Sequence, residues 1–289
     1  MKLSTLAAIV FLILSQPTLA QEQKSLSDTM SCEAAIFKMF NSIQSLHTAR
    51  FKLISTERIN NEMQVSSALG IIQYSPRKLF FRSFDDQNEL AYEILYVEGE
   101  NNNNAIISPN GFPFFNLNLN PLGSTIRNKR HLSILDAGGV YLVDMIKIGM
   151  KLYAESGTLD DRLEIKKISN SETKLIINNP DYAFTKYQVK EGETIRDICY
   201  KLGVPEYKIL ELNESVSSFD DIHKGEFIIV PNVYATKFEL IIRNNDFIPT
   251  IVKIYDDQGL FATYEYEYFE KNPEITSQTF SKDNPAYTF

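Results

Sequence analysis

Hydrophobic positions along the chain follow two periods, and the change between them separates predicted helices from predicted strands. Residues 27–46 carry apolar side chains at helical spacing, which predicts one amphipathic helix. Residues 50–98 instead contain four runs of β-branched and aromatic residues divided by polar turns, which predicts four strands. Further strands are predicted at residues 105–108, 162–167, 173–177, 237–243, 250–255 and 260–269.

A second helix is predicted over residues 140–152, directly after two glycines. Its apolar side chains include Leu142, Met145 and Ile146, and its opposite side is also fairly apolar. A helix that is apolar on two sides is either deeply buried or covers an apolar surface. This helix is therefore expected to pack against the predicted strands.

Tyrosines alternate with glutamates in the last predicted strand. Because side chains alternate across a strand, Tyr264, Tyr266 and Tyr268 are expected to share one face. That face is either an ordinary part of the core or the concave side of a curved sheet. In the second case, Leu142, Met145 and Ile146 of the second helix are expected to belong to the same apolar concave face.

A compact pattern interrupts the strands at residues 187–231. Short strands are predicted at both of its ends, and two helices are predicted between them. Thr194 and Asp197 form a capping-box-like start of the first helix, and Pro205 opens the second. The two strands pair most simply as antiparallel neighbours with both helices on one face.

This segment resembles a LysM domain. The matching positions are Tyr187, Val189, Gly192, Glu193, Thr194, Ile195, Ile198, Val204, Ile209, Leu212, Asn213, Gly225, Ile228 and Pro231. Cys199 replaces the usual alanine, and Arg196 stands where an aromatic residue is common, which is expected to weaken stacking on a sugar. LysM domains bind N-acetylglucosamine-containing glycans between two loops, so the resemblance implies peptidoglycan or a related glycan as partner.

Carried over by position, the resemblance implies a glycan site formed by Gly192, Glu193, Thr194, Ile195, Asn213, Glu214 and Ser215. Loop backbone groups would pair with the acetamido group of the sugar, and an apolar side chain would contact its methyl group. Alternatively, Gly192, Thr194 and Asn213 are only turn and cap residues.

Long strings outside this segment resemble an uncharacterised bacterial family, a domain of unknown function grouped with the LolA-like periplasmic lipoprotein carriers. These strings include residues 57–60, 94–102, 246–259 and 272–289. The resemblance implies an α+β fold, a LolA-like antiparallel half-barrel with helices on its concave face. It also suggests a lipid or lipoprotein acyl chain as ligand.

The order of the two patterns predicts a discontinuous domain. A LysM domain at residues 186–234 would be inserted into a half-barrel domain formed by residues 21–185 and 235–289. The ends of the insertion, Lys186 and Asn232, should then lie close together in space.

The first twenty residues indicate export. Lys2, the apolar run at residues 6–14 and the small residue Ala20 predict a signal peptide at residues 1–20. We expect a periplasmic or cell-envelope protein with no transmembrane segment in the mature chain. The net charge of -8 argues against nucleic acid and anionic membranes as main partners.

Candidate chemistry is sparse. His47, His131 and His223 lie in different segments, so no metal site is predicted, and no sequence motif indicates a cofactor or catalytic residues. Cys32 and Cys199 allow a disulfide in an exported protein, although buried free thiols are favoured. The preferred hypothesis is a non-enzymatic envelope protein tethered to peptidoglycan. A peptidoglycan hydrolase and a purely structural interaction platform are the alternatives.

Overall fold

The computed structural model describes residues 30–85, 87–127 and 130–289, so the predicted signal peptide lies outside the described residues. The helices are α1 Cys32–Gln44, α2 Ser124–Arg127, α3 Val140–Glu155, α4 Ile195–Leu202 and α5 Glu206–Leu212. The strands are β1 Thr48–Ile59, β2 Glu62–Gln73, β3 Lys78–Phe84, β4 Leu90–Val97, β5 Ala105–Pro109, β6 Leu117–Leu119, β7 Leu163–Lys167, β8 Glu172–Asn178, β9 Phe184–Gln188, β10 Phe227–Pro231, β11 Lys237–Arg243, β12 Pro249–Asp256 and β13 Gly259–Lys271.

One large antiparallel sheet organises the fold. Its strand order is β6-β5-β4-β3-β2-β1-β13-β12-β11-β8-β7, and β6 and β7 form its two free edges. Helices α1 and α3 bury their apolar faces in the same core as these strands. The predicted α+β class, an open antiparallel half-barrel with helices on one face and a small inserted domain, is confirmed.

Helix boundaries differ from the predicted ones. Helix α1 begins at Cys32, where Ser31 is the N-cap and accepts a hydrogen bond from the Ala34 N–H at 3.1 Å, and the predicted start at residue 27 lies outside the described residues. The helix ends at Gln44, two residues before the predicted end. Helix α3 continues to Glu155, three residues beyond the predicted end.

The small domain is inserted between β8 and β11, two strands of the large sheet that pair with each other. Strand β8 ends where β11 begins, since Asn178 is opposite Lys237. At the base of the insertion, the Asn232 N–H donates to the Ala183 carbonyl at 2.9 Å, and the Ala183 N–H donates to Asn232 Oδ1 at 2.9 Å. The two chain ends therefore lie side by side, as expected.

The small domain has its own sheet and core. Strands β9 and β10 pair antiparallel, with Phe184 opposite Pro231 and Gln188 opposite Phe227. Both helices pack on this pair, and the core is Val189, Ile195, Ile198, Cys199, Val204, Ile209, Val216, Ile228 and Val230. Gly203 ends α4 in the left-handed conformation, with φ of 69°.

The expectation that three tyrosines share one face is wrong for Tyr268. The pairing of β13 with β1 shifts at this point: Tyr266 is opposite Leu53, Tyr268 is opposite Lys52, and Glu267 is left unpaired. This β-bulge reverses the alternation, so that Tyr268 is exposed and Phe269 is buried in its place. Tyr264 and Tyr266 keep the inward orientation.

Both cysteines are buried free thiols, as favoured, and the alternative of a disulfide is wrong. Cys32 donates to the Glu164 carbonyl at 3.0 Å. Burial raises the pKa of Cys32 to about 11, and burial also raises the pKa of Cys199 well above its ordinary value. Neither thiol is therefore ionised near neutral pH.

Candidate functional site

The first loop of the predicted glycan site is built by a turn and a helix cap. Gly192 has φ of 75°, which suits glycine, and Thr194 follows as the N-cap of α4. The Thr194 side chain accepts from the Asp197 N–H at 3.2 Å, while Asp197 accepts from the Thr194 N–H at 2.9 Å. This reciprocal capping box fixes the loop.

The seven predicted glycan residues divide into exposed and buried groups. The exposed residues, called the glycan rim below, are Gly192, Thr194, Glu214 and Ser215. Ile195 and Asn213 are buried, so their expected side-chain contacts with a sugar are not available. Ile195 instead belongs to the core of the small domain.

Asn213 uses its side-chain amide to hold the second loop. Its Nδ2 donates to the carbonyls of Ile209 at 2.7 Å and Ile229 at 2.8 Å, and its Oδ1 accepts from the Ile229 N–H at 2.7 Å. These contacts agree with the alternative that Asn213 is only a cap and turn residue.

Glu193 supports the first loop from behind. Its carboxylate accepts from the Tyr187 hydroxyl at 2.8 Å and from the Lys190 N–H at 2.9 Å. Burial raises the pKa of Glu193, but these bonds and Lys201 outweigh burial and hold the pKa below its ordinary value. Glu193 is thus a charged acceptor that is already occupied.

A cleft lies between the sheet and residues 130–139, called the covering segment below. It contains about 130 Å³ of space. Its lining is mostly apolar and includes Leu53, Ala68, Phe81, Ile94, Leu132, Ile134, Leu142, Tyr264 and Tyr266. Of the predicted concave-face residues, Ile146 lines a smaller adjoining cavity of about 30 Å³, and Met145 is buried in the core.

Polar groups line the cleft both on β1 with its neighbouring strands and on the covering segment, which contributes Arg130, Ser133 and Asp136. Glu57 is buried and accepts a hydrogen bond from the Tyr264 hydroxyl at 2.7 Å. The hydroxyls of Ser55 and Ser66 lie 2.7 Å apart. Burial raises the pKa of Tyr264 well above its ordinary value, so this phenol stays protonated.

The small domain is docked on the large one through buried charges, which sequence reasoning missed. Lys208 of α5 is fully buried, and its ammonium lies 2.8 Å from Asp256, 2.9 Å from Asp257 and 2.8 Å from Glu211. Burial lowers the pKa of Lys208, but these three bonds outweigh it and hold the pKa above its ordinary value. Arg58 of β1 pairs with Asp256 and lies 3.5 Å from Glu211.

A second buried group of charges joins the small domain to α2 and to the covering segment. Arg127 pairs with Glu206 at 2.6 Å, and their side chains are only 2% and 3% exposed. Arg196 bridges Glu206 at 2.7 Å and Asp136 at 2.5 Å. Arg196 therefore points toward the large domain. This position gives no support to the expectation that Arg196 weakens stacking on a sugar.

Apolar and aromatic contacts complete the junction. The His131 ring stacks between Tyr207, at 4.5 Å, and Phe261, at 4.0 Å. His131 Nε2 donates to the Arg58 carbonyl at 2.8 Å, and burial lowers the pKa of the imidazole, which keeps it neutral. A Cβ on Gly203 would lie 2.7 Å from Ile148 Cγ2, so this glycine allows α4 to approach α3 closely.

One signal in the sequence points toward this junction. Lys208 stands between Tyr207 and Ile209 on a short helix. Asp256 accepts from the Gln258 N–H at 2.9 Å in the turn after β12, and it also receives both buried cations, Arg58 and Lys208. A charge between apolar neighbours is the pattern to look for.

Within residues 30–85, 87–127 and 130–289, no group of three or more His, Cys, Asp or Glu side chains is placed to hold a metal ion. None of the helices in those ranges combines the length and apolar character that crossing a bilayer requires.

Comparison with known proteins identifies the small domain. The family model described as LysM domain matches residues 187–231, and no curated protein matches the sequence. A LolA superfamily protein of Nitrosomonas europaea is 7% identical, with a TM-score of 0.33, and the alignment covers 88% of this chain and 99% of that chain.

Other solved structures give similar values. A DUF1329 family protein of Desulfovibrio piger is 6% identical with a TM-score of 0.35, covering 88% of this chain and 98% of that one. The Mycobacterium tuberculosis lipoprotein LppX is 9% identical with a TM-score of 0.37, covering 85% and 98%. The solved structures thus include a LolA superfamily protein, as the sequence resemblance predicted, but likeness at these scores does not bear on function. Residues 187–231 of this chain form a LysM domain.

Proposed function

We propose that this protein is a non-enzymatic, exported cell-envelope protein that binds peptidoglycan through its LysM domain. The half-barrel domain, in this proposal, binds a lipid or a lipoprotein acyl chain. The observation that carries the first part is a complete LysM domain whose glycan rim is exposed while other residues of the domain form its contacts with the large domain.

Docking and glycan binding use different surfaces of the LysM domain. The docked surface is formed by α5 and by Arg196 and Gly203 at α4. The glycan rim, by contrast, lies on the two loops that precede α4 and follow α5. A glycan strand could therefore reach the rim without separating the two domains.

The junction supports a fixed arrangement rather than a flexible tether. Ion pairs at Glu206 and Lys208 are removed from solvent, and breaking a buried pair leaves an uncompensated charge at a cost of about 3–5 kcal/mol. Binding of the rim to peptidoglycan would then hold the half-barrel at one orientation to the glycan.

Sedimentation of the mature protein with purified peptidoglycan tests the glycan proposal. Ser215→Trp places a bulky ring at the exposed rim and should reduce the bound fraction, because the groove would be blocked. Ser277→Trp, at an exposed position of the large domain, is the matched control and should bind like the wild type. Equal binding of all three proteins, or no binding by the wild type, would refute the proposal.

The apolar lining of the cleft supports the proposed apolar ligand. The size of the cleft limits which ligands can enter without movement of the protein. The space of about 130 Å³ is smaller than the roughly 300–1,000 Å³ of typical ligand pockets. A long acyl chain would therefore need the covering segment to move away from the sheet. Leu132 and Ile134 of that segment are the side chains a ligand would displace.

Mass spectrometry of organic extracts tests this second part. The mature protein, purified without detergent, should release lipid in a fixed ratio to protein. A variant with Ala68→Trp, which fills the cleft, should release less, since Ala68 lines it. If the wild-type extract contains no lipid and added lipid does not bind, the large domain is not a lipid carrier.

A further inference from the structure

We infer that the cleft selects an amphiphile with an anionic head group, carboxylate or phosphate, and that Arg130 is the residue that binds this head. The inference rests on the proposed apolar-ligand function and adds the polarity and charge of the ligand. It starts from the contacts of Arg130, the one arginine in the lining of the cleft.

The guanidinium of Arg130 is held by neutral hydroxyls. It donates to Ser66 Oγ, to Ser55 Oγ at 3.4 Å and to Tyr92 Oη at 3.5 Å. The last two distances are at the outer limit of a hydrogen bond, so they stabilise the cation weakly. Two of the five N–H groups of this guanidinium have no partner in these contacts, and two of the three contacts are weak enough for an anion to replace them.

Arg130 differs in this respect from the arginines of the domain junction, and also from Arg77, whose guanidinium donates to the backbone carbonyls of Leu135 at 2.8 Å and Ala137 at 2.7 Å. Arg58, Arg127 and Arg196 each lie within salt-bridge distance of a carboxylate, whereas no carboxylate of the described residues lies within 4 Å of Arg130. A partly buried cation without an anionic partner is costly unless a ligand supplies the charge. An anion placed beside it would form charge-assisted and, with a carboxylate or phosphate, bidentate hydrogen bonds.

The two carboxylates in the lining of the cleft, those of Glu57 and Asp136, do not compete for this role, and Asp136 is paired with Arg196 of the LysM domain. Glu57 already accepts the hydroxyl of Tyr264, on the other side of Ser55 along β1. The three hydroxyls around Arg130 can each turn to donate to an anion, because a hydroxyl both donates and accepts. The site therefore combines one cation with three adaptable donors.

The remaining walls of the cleft favour the hydrocarbon tail of the ligand. Beyond Arg130, the walls are apolar and include Leu53, Phe81, Ile94 and Leu142. A hydrocarbon tail buried there would be stabilised by about 0.8 kcal/mol for each methylene group removed from water. The polar residues at Arg130 and the apolar walls together fit a single-chain anionic amphiphile, with head at Arg130.

Binding of four probes with the same sixteen-carbon chain tests the inference. The probes are hexadecanoate, hexadecyl phosphate, hexadecanol and hexadecyltrimethylammonium, titrated into the delipidated mature protein by calorimetry. Hydrogen bonds to charged groups predict that the anions bind about 10- to 150-fold more tightly than the alcohol. The cationic probe should bind most weakly, and the relative affinities of the two anions identify the preferred head.

Variants of Arg130 distinguish binding of the head group from binding of the hydrocarbon tail. Arg130→Gln should reduce affinity for the anions to that for hexadecanol, without changing the affinity for hexadecanol. Arg130→Lys should restore part of the preference, because the charge is retained. Arg50→Gln, at an exposed position of β1, is the matched control and should behave like the wild type.

Two results would overturn the inference, and they are distinguishable. If wild-type protein binds hexadecanol as tightly as the anions, the apolar cleft stands and the anion site does not. If no probe binds, the apolar-ligand function fails, and the head-group inference fails with it.

Discussion

Glu206 is the position where a single substitution best tests whether the two domains are locked together. Its carboxylate accepts from Arg127 at 2.6 Å and from Arg196 at 2.7 Å, and its side chain is 3% exposed. Glu206→Gln keeps the shape of the side chain but removes its charge. Arg127 then loses its buried carboxylate partner, whereas Arg196 keeps Asp136.

The expected loss in the free energy of unfolding follows from the burial of this pair. Removing one partner of a buried ion pair costs about 3–5 kcal/mol, because the remaining charge is left without compensation. We expect a value near 3 kcal/mol, since the neutral amide retains one hydrogen-bond acceptor and Arg196 has a second partner. Aspartate or alanine at this position would cost more.

Urea unfolding followed by far-ultraviolet circular dichroism and by tyrosine fluorescence measures this loss. The chain contains 15 tyrosines and no tryptophan, so the fluorescence signal comes from tyrosine. In the wild type, the two transitions should coincide, because the docked domains unfold as one unit. In Glu206→Gln, the transitions should shift to lower urea and separate.

The control for this experiment is a surface pair of the same LysM domain. Glu191 pairs with Lys224 at 2.8 Å, and their side chains are 81% and 67% exposed. Glu191→Gln should cost less than about 1 kcal/mol, as is usual for exposed pairs. If Glu206→Gln cost no more than this control, the buried junction would not lock the two domains.

Three further predictions concern single side chains. Asn213→Ala removes three hydrogen bonds to the backbone and should lower the stability of the LysM domain by about 1–3 kcal/mol, measured by urea unfolding. Cys199 should react with Ellman's reagent at pH 8 only as fast as the protein unfolds, because burial raises the pKa of this thiol. Burial raises the pKa of Asp256, but Arg58 and Lys208 outweigh burial and hold it below its ordinary value. The stabilisation from Asp256 is therefore present above the unfolded pKa of about 3.9 and lost as pH falls through the folded value, and Asp256→Asn should flatten this acid dependence of unfolding.

The strands could be predicted because the pattern of apolar and polar side chains that marks a strand is local in the sequence. Strand β11 was predicted with its observed bounds, and its buried apolar residues alternate along the strand. The LysM domain could be predicted for a similar reason: its caps, turns and core residues are all local. A small domain whose structural signals are all local can therefore be predicted from its sequence.

The junction and the bulge could not be predicted because they depend on distant partners. Lys208 and Asp256 are 48 residues apart, and nothing near either residue indicates the other. The exposure of Tyr268 is set by the register of β13 against β1, which lies more than two hundred residues earlier in the chain. Likewise, Asn213 matched the glycan pattern by position, although the bonds to its amide show a structural role.

Asp136 links the two proposed functions physically. It lines the cleft as part of the covering segment, where it accepts from the Ser133 N–H at 2.9 Å. The same carboxylate pairs with Arg196 of the LysM domain. Movement of the covering segment away from the sheet, which a long acyl chain requires, must break this pair or carry the LysM domain with it. Under the proposed function, the LysM domain and the cleft are therefore coupled through the Asp136–Arg196 pair, and the docked LysM domain would raise the free energy of the open cleft.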